Sequence, residues 1–156
     1  MRSVGPRLLR LWRRLAPLPG GRWLFSRLFG WWVPYSGSVG PQVRVLEPGH
    51  AEVEIPDRRA NRQHLGSVHA VALINAAEMA SGLALLTGLP AGMRGIVTHI
   101  GMEYLKKARG RIRAVSHVAV ASASGVQDLD VTADCLDPAG QVVARATVRW
   151  RIGPER

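Results

Sequence analysis

The spacing of hydrophobic and polar positions in this sequence changes near residue 41. Before that point, apolar side chains recur at helical spacing, with arginines largely on the opposite side. The first such segment is 7–16, through Leu8, Leu9, Trp12 and Leu15. The Pro17–Gly21 segment ends that helix, and a second apolar stretch runs from Trp23 to Trp32. Residues 1–40 are therefore predicted to form an arm of two amphipathic helices.

After the arm, the pattern indicates strands around one long helix. Residues 42–55 alternate with period two and are interrupted at Pro48-Gly49, which predicts a strand or hairpin. The run from 70 to 86 is rich in Ala and Leu, lacks proline and is apolar on every side, which predicts a buried helix. Further strands are predicted at 95–108, 111–123, 127–137 and 141–152, with turns at Gly110, Ser124-Gly125 and 137–140.

This order of elements predicts an α+β fold for residues 41–156. A buried helix followed by four consecutive strands must lie against one face of an antiparallel sheet. A long central helix wrapped by a curved antiparallel sheet is the hotdog arrangement. The 156 residues are therefore predicted to form one hotdog domain, preceded by the two helices of the arm, around a single core.

The net charge of +10 is concentrated in the arm. Eight arginines and no acidic residue precede Glu47. Three interpretations of the arm stay open: it docks its aromatic faces on the domain, it attaches to a membrane surface through residues 1–34, or it binds nucleic acid. The last has no motif beyond charge, so no nucleic-acid partner is expected. An arginine-rich, acid-free start is also typical of a mitochondrial transit peptide.

The remaining composition favours a cytoplasmic protein without a metal or cofactor. The single cysteine, Cys135, excludes an intrachain disulfide framework and fits a reducing compartment. Arginines interrupt every apolar stretch up to Arg22, which is atypical of a secretory signal. No apolar run approaches the ~20 residues that span a bilayer. The five histidines show no zinc-ligand spacing.

Glu78 is the most informative residue in the sequence. It is the only ionisable group between His69 and Arg94, and alanines and methionine surround it in the predicted helix. Burying an unpaired carboxylate is costly, and its pKa should rise unless donors surround it. The residue is predicted to be catalytic or to face a ligand; the alternative is a structural carboxylate paired with an arginine.

The start of the same helix is a second candidate. His69 lies where the first backbone N–H groups of a helix are unpaired and suit an oxyanion, and Gly66 permits close approach of a ligand. Nine residues separate His69 from Glu78, which corresponds to opposite faces and ~13 Å along the axis. If both act on one substrate, two subunits must share each site, as in a two-fold dimer.

The segment from Gln63 to Ala70, followed by Glu78, resembles the signature of hotdog thioesterases of the phenylacetate-pathway and 4-hydroxybenzoyl-CoA types. That signature has an amide residue, then Gly, then His-Gly-Gly, and an acid nine residues after the histidine. Further segments resemble a bacterial hotdog-domain family with the same N-terminal helices, namely 19–21, 34–37, 69–72, 77–82 and 104–110.

The resemblance implies a role for each matching residue. Gln63 would hold the thioester carbonyl or the water, and the Ala70 backbone N–H would form the oxyanion hole. Glu78 of the other subunit would be the general base or nucleophile, and His69 would orient the loop. Further substrate-binding positions are implied at Gly66, Ser81, Gly82, Asn61 and His64.

Two departures from the signature lower the expectation of catalysis. The sequence has Ala70-Val71 in place of Gly-Gly. It also has Gly82, with Ser81 adjacent, where some relatives carry a water-binding hydroxyl.

A basic cluster around Gly110 suggests a ligand with phosphates. The candidates for CoA phosphate contacts are Lys106, Lys107, Arg109 and Arg111, with Arg113 next in the sequence and Arg62 and Arg94 near a possible cleft mouth. A solvated hairpin tip would have the same composition.

The sequence therefore predicts an acyl-CoA thioesterase acting as a homodimer or a dimer of dimers. The alternative is a non-catalytic acyl-CoA or lipid-binding hotdog protein, which the Ala70-Val71 change favours. A hotdog dehydratase is disfavoured because the proline-rich histidine loop of those enzymes is absent. The aromatic helices of the arm are a candidate cap for an acyl tunnel.

Overall fold

A computed structural model describes residues 4–119 and 125–155. The helices are α1 (Val4–Leu15), α2 (Gly21–Trp32), the short α3 (Pro34–Gly37) and α4 (Ala70–Gly88), with a 3-10 turn at Arg59–Asn61. The strands are β1 (Gln42–Glu47), β2 (His50–Ile55), β3 (Met93–Tyr104), β4 (Ile112–His117), β5 (Gln127–Leu136) and β6 (Val142–Pro154).

These strands form one antiparallel sheet in the order β1-β2-β4-β5-β6-β3. Helix α4 lies along one face of this sheet, because alternate strand residues point towards it and form a core with its alanines and leucines. This arrangement is the predicted α+β hotdog fold.

The sheet ends at β3, whose outer edge pairs with no other strand in the described part of the chain. Strand β3 has 12 residues and pairs only with β6. Its residue Ile96 is 66% exposed. A long edge strand of this kind is a ready template for pairing with a second chain.

The predicted strand at 95–108 is displaced by a few residues, since β3 ends at Tyr104. The segment after it turns away because the N–H groups of Leu105 and Lys106 both donate to the carbonyl of Val143. The predicted strand at 111–123 is shorter, since β4 ends at His117. The last part of that prediction, with the turn residue Ser124, lies outside the described residues.

Helix α4 is buried almost all round, as its composition predicts. By length and apolar composition it would cross a bilayer, but 72% of its most apolar 18-residue window is buried inside the protein. This burial is typical of the core helix of a folded domain.

The arm docks on the hotdog domain and contributes to the same core. Leu8, Trp12 and Phe25 are buried in that core, and the rings of Trp12 and Phe25 meet edge to face at 5.1 Å. The Ser26 hydroxyl accepts a hydrogen bond of 2.9 Å from the Val43 N–H and so ties α2 to β1. The docking interpretation is therefore confirmed for the inner faces of α1 and α2.

Candidate active site on the central helix

Glu78 projects from the middle of α4 and is partly buried. Burial raises the pKa of its carboxyl group above the ordinary value, because removal from water disfavours the charged form. Among the described residues, its carboxylate forms no hydrogen bond and no ion pair. It is therefore neither a solvated surface group nor a structural partner of an arginine.

The Glu78 carboxylate lies in the wall of a cavity of about 260 Å³. The cavity lies between the arm, α4, the start of β3 and the C-terminal part of β6. Most of its walls are apolar. Its polar side chains are Glu78, Ser36, Arg94 and Glu155.

The start of α4 presents one unpaired backbone donor. The His69 ring caps the helix, since its Nδ1 accepts a hydrogen bond of 3.1 Å from the Val71 N–H. The His69 N–H donates to the Asn61 carbonyl at 2.8 Å, which fixes the loop before the helix. Within residues 4–119 and 125–155, no group accepts from the Ala70 N–H, and Ala70 is exposed. That N–H is free to bind an oxyanion.

The helix start and Glu78 are well separated within one chain. Eight residues of continuous helix separate Ala70 from Glu78, which is about 12 Å along the axis. No loop folds between them to bring the two groups together. Within one molecule, the Ala70 N–H and the Glu78 carboxylate therefore cannot contact the same substrate bond.

The loop before α4 holds its polar side chains in internal hydrogen bonds. The Gln63 amide donates to Ser67 Oγ at 2.6 Å, and its oxygen accepts from the Leu65 N–H. Asn61 is buried and donates to the carbonyls of Val39 at 2.8 Å and Pro56 at 3.0 Å. Contact of either amide with a substrate requires these bonds to exchange.

Of the other predicted substrate-binding residues, some are exposed beside the helix start and some are buried along α4. His64 and Gly66 are exposed beside the helix start, and Gly66 adopts a φ of 77° that favours glycine. Ser81 is fully buried and faces the sheet, where it donates to the Glu78 carbonyl at 2.8 Å and accepts from Trp150 Nε1 at 3.3 Å. Gly82 lines the cavity beside Glu78.

The predicted phosphate-binding segment lies beside the start of α4 in the same chain. The Val68 N–H donates to the Ala108 carbonyl at 2.8 Å, and the Tyr104 hydroxyl donates to the Ala70 carbonyl at 3.3 Å. Exposed basic side chains flank these contacts. They are Lys106, Lys107, Arg109 and Arg111.

Some of these cations already have partners. Lys106 Nζ donates to Gln141 at 2.6 Å, and Arg111 pairs with Glu54 at 3.3 Å. Of the three other arginines, Arg113 pairs with Glu52 at 3.3 Å and Arg62 pairs with Asp57 at 2.6 Å. Arg94 instead lines the cavity beside Glu78.

Sequence reasoning did not find most of the cavity. Its walls include Met79, Leu83 and Leu86 of α4 together with Trp150 of β6, all of which have the composition of ordinary core. The available signal was the spacing of Glu78, Gly82 and Leu86 at intervals of four, which places them on one face of the helix.

The chain matches the model of the family described as a domain of unknown function, DUF4442, over residues 21–152. It belongs to that family. The match begins inside the predicted arm. No curated protein matches the chain.

Solved structures share the fold. A structural-genomics protein, APC5556, is 34% identical, with a TM-score of 0.82 over 96% of this chain and 97% of its own. A Pseudomonas aeruginosa protein named as a probable thioesterase is 24% identical, with a TM-score of 0.75 over 88% and 97%. A point mutant of the phenylacetic acid degradation protein PaaI from Thermus thermophilus is 22% identical, with a TM-score of 0.64 over 76% and 97%. The chain thus has the hotdog fold that these solved structures share.

Proposed function

We propose that this protein is a thioesterase that hydrolyses an acyl-CoA thioester, with each active site shared by two subunits. The observation that carries the proposal is the Glu78 carboxylate, which is partly buried, unpaired within the described chain and open to a cavity. The thioesterase names of proteins with the same fold support the reaction class.

In this mechanism, Glu78 acts as the general base for a water molecule. The water oxygen attacks the thioester carbonyl carbon while Glu78 takes a water proton, and the tetrahedral oxyanion binds the Ala70 N–H of the other subunit. The C–S bond then breaks, and the proton passes from Glu78 to the departing CoA sulfur. Direct attack by the Glu78 carboxylate, with hydrolysis of the resulting anhydride, gives the same products.

The roles of His69 and Gln63 follow from their contacts. The His69 ring keeps the first turn of α4 in place by capping Val71, so that the Ala70 N–H is left free. Gln63 would reach the substrate carbonyl or the water after its internal hydrogen bonds exchange. Lys106, Lys107, Arg109 and Arg111 are proposed to bind the CoA phosphates, since they flank the same helix start.

A homodimer would join the two halves of the site. Four large apolar side chains are exposed at the helix start and on or just after β3. They are Val71, Ile96, Tyr104 and Leu105. Such a patch beside an unpaired strand edge is typical of an interface. A dimer of dimers is compatible with the same contact. We place the protein in the cytoplasm, where Cys135 would stay reduced, and we propose no cofactor beyond the CoA of the substrate.

A non-catalytic acyl-CoA or lipid-binding protein is the second candidate. Two observations favour it: Ala70-Val71 replaces the Gly-Gly of the thioesterase signature, and the Gln63 amide is held in its own loop. Side chains at positions 70 and 71 narrow the approach to the helix start.

Turnover of a panel of acyl-CoAs distinguishes the two functions. A thiol reagent would detect released CoA, and the Glu78→Gln variant is the isosteric control. We expect the variant to lose activity by about 10²–10⁴-fold, the usual contribution of a general base. Micromolar binding of the same acyl-CoAs without turnover by the native chain would support the binding protein instead.

A further inference from the structure

The cavity beside Glu78 follows the axis of α4. Glu78, Gly82 and Leu86 line it at intervals of four residues, so they form one stripe on the helix. From Glu78 to Leu86 the helix rises about 12 Å. The carboxylate therefore lies at one end of an elongated space, and Leu86 lies at the other.

The arm forms the roof of this space. Val4 and Leu8 of α1, and Phe29 and Trp32 of α2, all line it. A Cβ added at Gly5 would lie 1.8 Å from the Leu86 carbonyl oxygen, so α1 crosses the far end of the stripe in direct backbone contact. Near Glu78, the Asn75 amide donates to the Tyr35 carbonyl at 3.3 Å and holds the α2–α3 junction in place.

The floor is the ring of Trp150. A Cβ at Gly82 would lie 2.9 Å from that ring, and one at Gly95 would lie 3.4 Å away, so both glycines leave room for the ring beside the cavity. The indole N–H is satisfied by Ser81. Trp150 therefore presents an apolar surface to the cavity, and the polar wall residues other than Glu78 are Ser36, Arg94 and Glu155.

From these observations we propose that the cavity is the acyl site, and that the substrate carries a straight aliphatic chain of medium or greater length. This inference rests on the proposed thioesterase function. At ~1.3 Å per carbon along an extended chain, the ~12 Å path accommodates about nine carbons. A neighbouring groove of about 440 Å³ shares Val4, Leu8, Phe29 and Trp32 with the cavity and extends the path for a longer chain.

The first test is the dependence of kcat/KM on chain length. We expect the native chain to prefer decanoyl- or dodecanoyl-CoA to acetyl-CoA. Val33→Phe, at a position that lines the cavity, should lower kcat/KM for dodecanoyl-CoA by about tenfold and change that for acetyl-CoA by less than about twofold. The same exchange at Val126, which is 72% exposed, is the matched control. Leu86→Phe, at the far end of the stripe, serves as a second filling variant.

A binding measurement separates this inference from the proposed function. Trp32 and Trp150 both line the cavity, so 12-bromododecanoate bound there should quench their fluorescence. We expect saturable quenching that Val33→Phe and Leu86→Phe weaken and Val126→Phe does not, whether or not any acyl-CoA is hydrolysed. Absence of quenching, or equal loss of turnover for short and long chains in both filling variants, would refute the acyl site. Quenching without turnover would refute only the thioesterase.

A second inference comes from the outer face of α2. Its large apolar side chains are exposed. They are Trp23, Leu24, Leu28 and Trp31, and Trp31 is 82% exposed. Packing on the domain requires none of this surface, because α2 docks through Phe25 and Ser26. Exposed large apolar side chains grouped on one side of a helix mark an interaction site.

The positive charges of the arginines in α1 and α2 have no acidic partner among the described residues. Arg7, Arg10, Arg13 and Arg14 of α1, with Arg22 and Arg27 of α2, form no ion pair within the described residues. On the sheet, by contrast, Arg145, Arg149 and Arg151 pair with Asp134, Asp130 and Asp128 at 2.6–2.8 Å. Tryptophans among unpaired arginines complement an anionic bilayer surface, where indole rings favour the headgroup level.

We infer that the outer face of α2 binds the surface of an anionic lipid bilayer. The full chain should cosediment with vesicles made of phosphatidylcholine and phosphatidylglycerol, and binding should fall as salt rises. The double variant Trp31→Ser/Leu28→Ser should weaken binding by about tenfold or more. The double variant Arg10→Gln/Arg14→Gln should reduce the preference for anionic over neutral vesicles. Arg149→Gln, a paired arginine on the sheet, is the control.

Three results would overturn the membrane inference. The first is absence of vesicle binding, with or without binding to duplex DNA. The second is unchanged binding of the Trp31→Ser/Leu28→Ser variant, and the third is loss of self-association in that variant, which would assign the face to a second copy of the chain.

Discussion

Glu78 should oppose stability while it supports activity. Burial raises its pKa, so the folded protein favours the neutral acid. The free energy of unfolding is therefore not lowered by Glu78 at a pH below the pKa of this group in the unfolded chain. It falls as pH rises through the folded pKa, because the buried carboxyl must then ionise. Glu78→Gln, which stays neutral, should therefore raise Tm by about 2–5 °C at pH 8 and by less at pH 4.5. Thermal melts at the two pH values measure the difference. A Tm gain that is independent of pH would contradict the effect of burial.

The same pKa shift predicts the pH dependence of turnover. A general base must be ionised, so kcat/KM should rise with pH through a pKa above the ordinary glutamate value. The measurement is kcat/KM for one acyl-CoA between pH 4 and pH 9, corrected for spontaneous thioester hydrolysis. A profile whose acidic limb falls at the ordinary value would show that substrate or partner groups restore the charged form.

The thiol of Cys135 should be unreactive towards thiol reagents in the folded protein. Its side chain is fully buried against α4, and burial raises the pKa of the thiol to about 12. Because the thiolate is the reactive form, we expect no reaction with a thiol reagent at pH 8 until the chain unfolds in denaturant. Rapid modification of the native protein would show that the core around β5 opens locally.

At the scale of elements, Gly5 allows α1 to dock. A side chain at this position meets the Leu86 carbonyl at 1.8 Å, and backbone cannot move aside as a flexible side chain can. Gly5→Ala should therefore destabilise the protein by about 1–3 kcal/mol and shift the emission of Trp12 to the red as α1 loosens. Gly101→Ala, where a Cβ meets nothing closer than 3.7 Å, is the control. Urea unfolding of both variants checks the prediction.

The sequence was sufficient for elements whose signals are local. Alternation across 42–55 and the Pro48-Gly49 turn located the first hairpin, where Gly49 has a φ of 79°. The apolar run located α4, which ends two residues beyond the predicted bound. The predicted ends of β3 and β4 were less accurate. Hydrogen bonds to the carbonyl of Val143, which is distant in sequence, decide where β3 ends.

The site was predictable to the same extent. Glu78 stood out because one carboxylate among alanines is a local contrast. The cavity beside it was not visible, because α1, α2, β3 and β6 each supply part of its wall and only the fold brings them together. Side-chain direction was equally hidden: the helical period of α2 could not show that Phe25 would pack inward while Trp31 faced outward. The proposed roles of Gln63, His69 and Ala70 stay predictions.

At the scale of the whole molecule, a shared site predicts complementation between inactive subunits. Ala70→Pro removes the oxyanion donor but suits the first position of a helix, and His69 already has the extended backbone that proline requires before it. Homodimers of Ala70→Pro and of Glu78→Gln should each lose about 10²-fold or more of activity.

Each mixed dimer of the two variants would contain one intact site. A 1:1 mixture, unfolded and refolded together, should therefore regain about a quarter of native activity. Failure to regain activity, with mixed dimers detected by mass spectrometry, would place both groups of each site in one chain.

The open edge of β3 bears on how the protein comes into being. In the described part of the chain, the outer edge of this 12-residue strand has no strand partner, and its residue Ile96 is 66% exposed, so the edge can pair with another extended chain. Pairing of the β3 edges of two copies would then compete with aggregation of the chain, and both processes would be slower at lower protein concentration. If two copies pair at this edge as proposed, the fraction of paired chains would rise with protein concentration, and low expression would leave more chains with the edge uncovered.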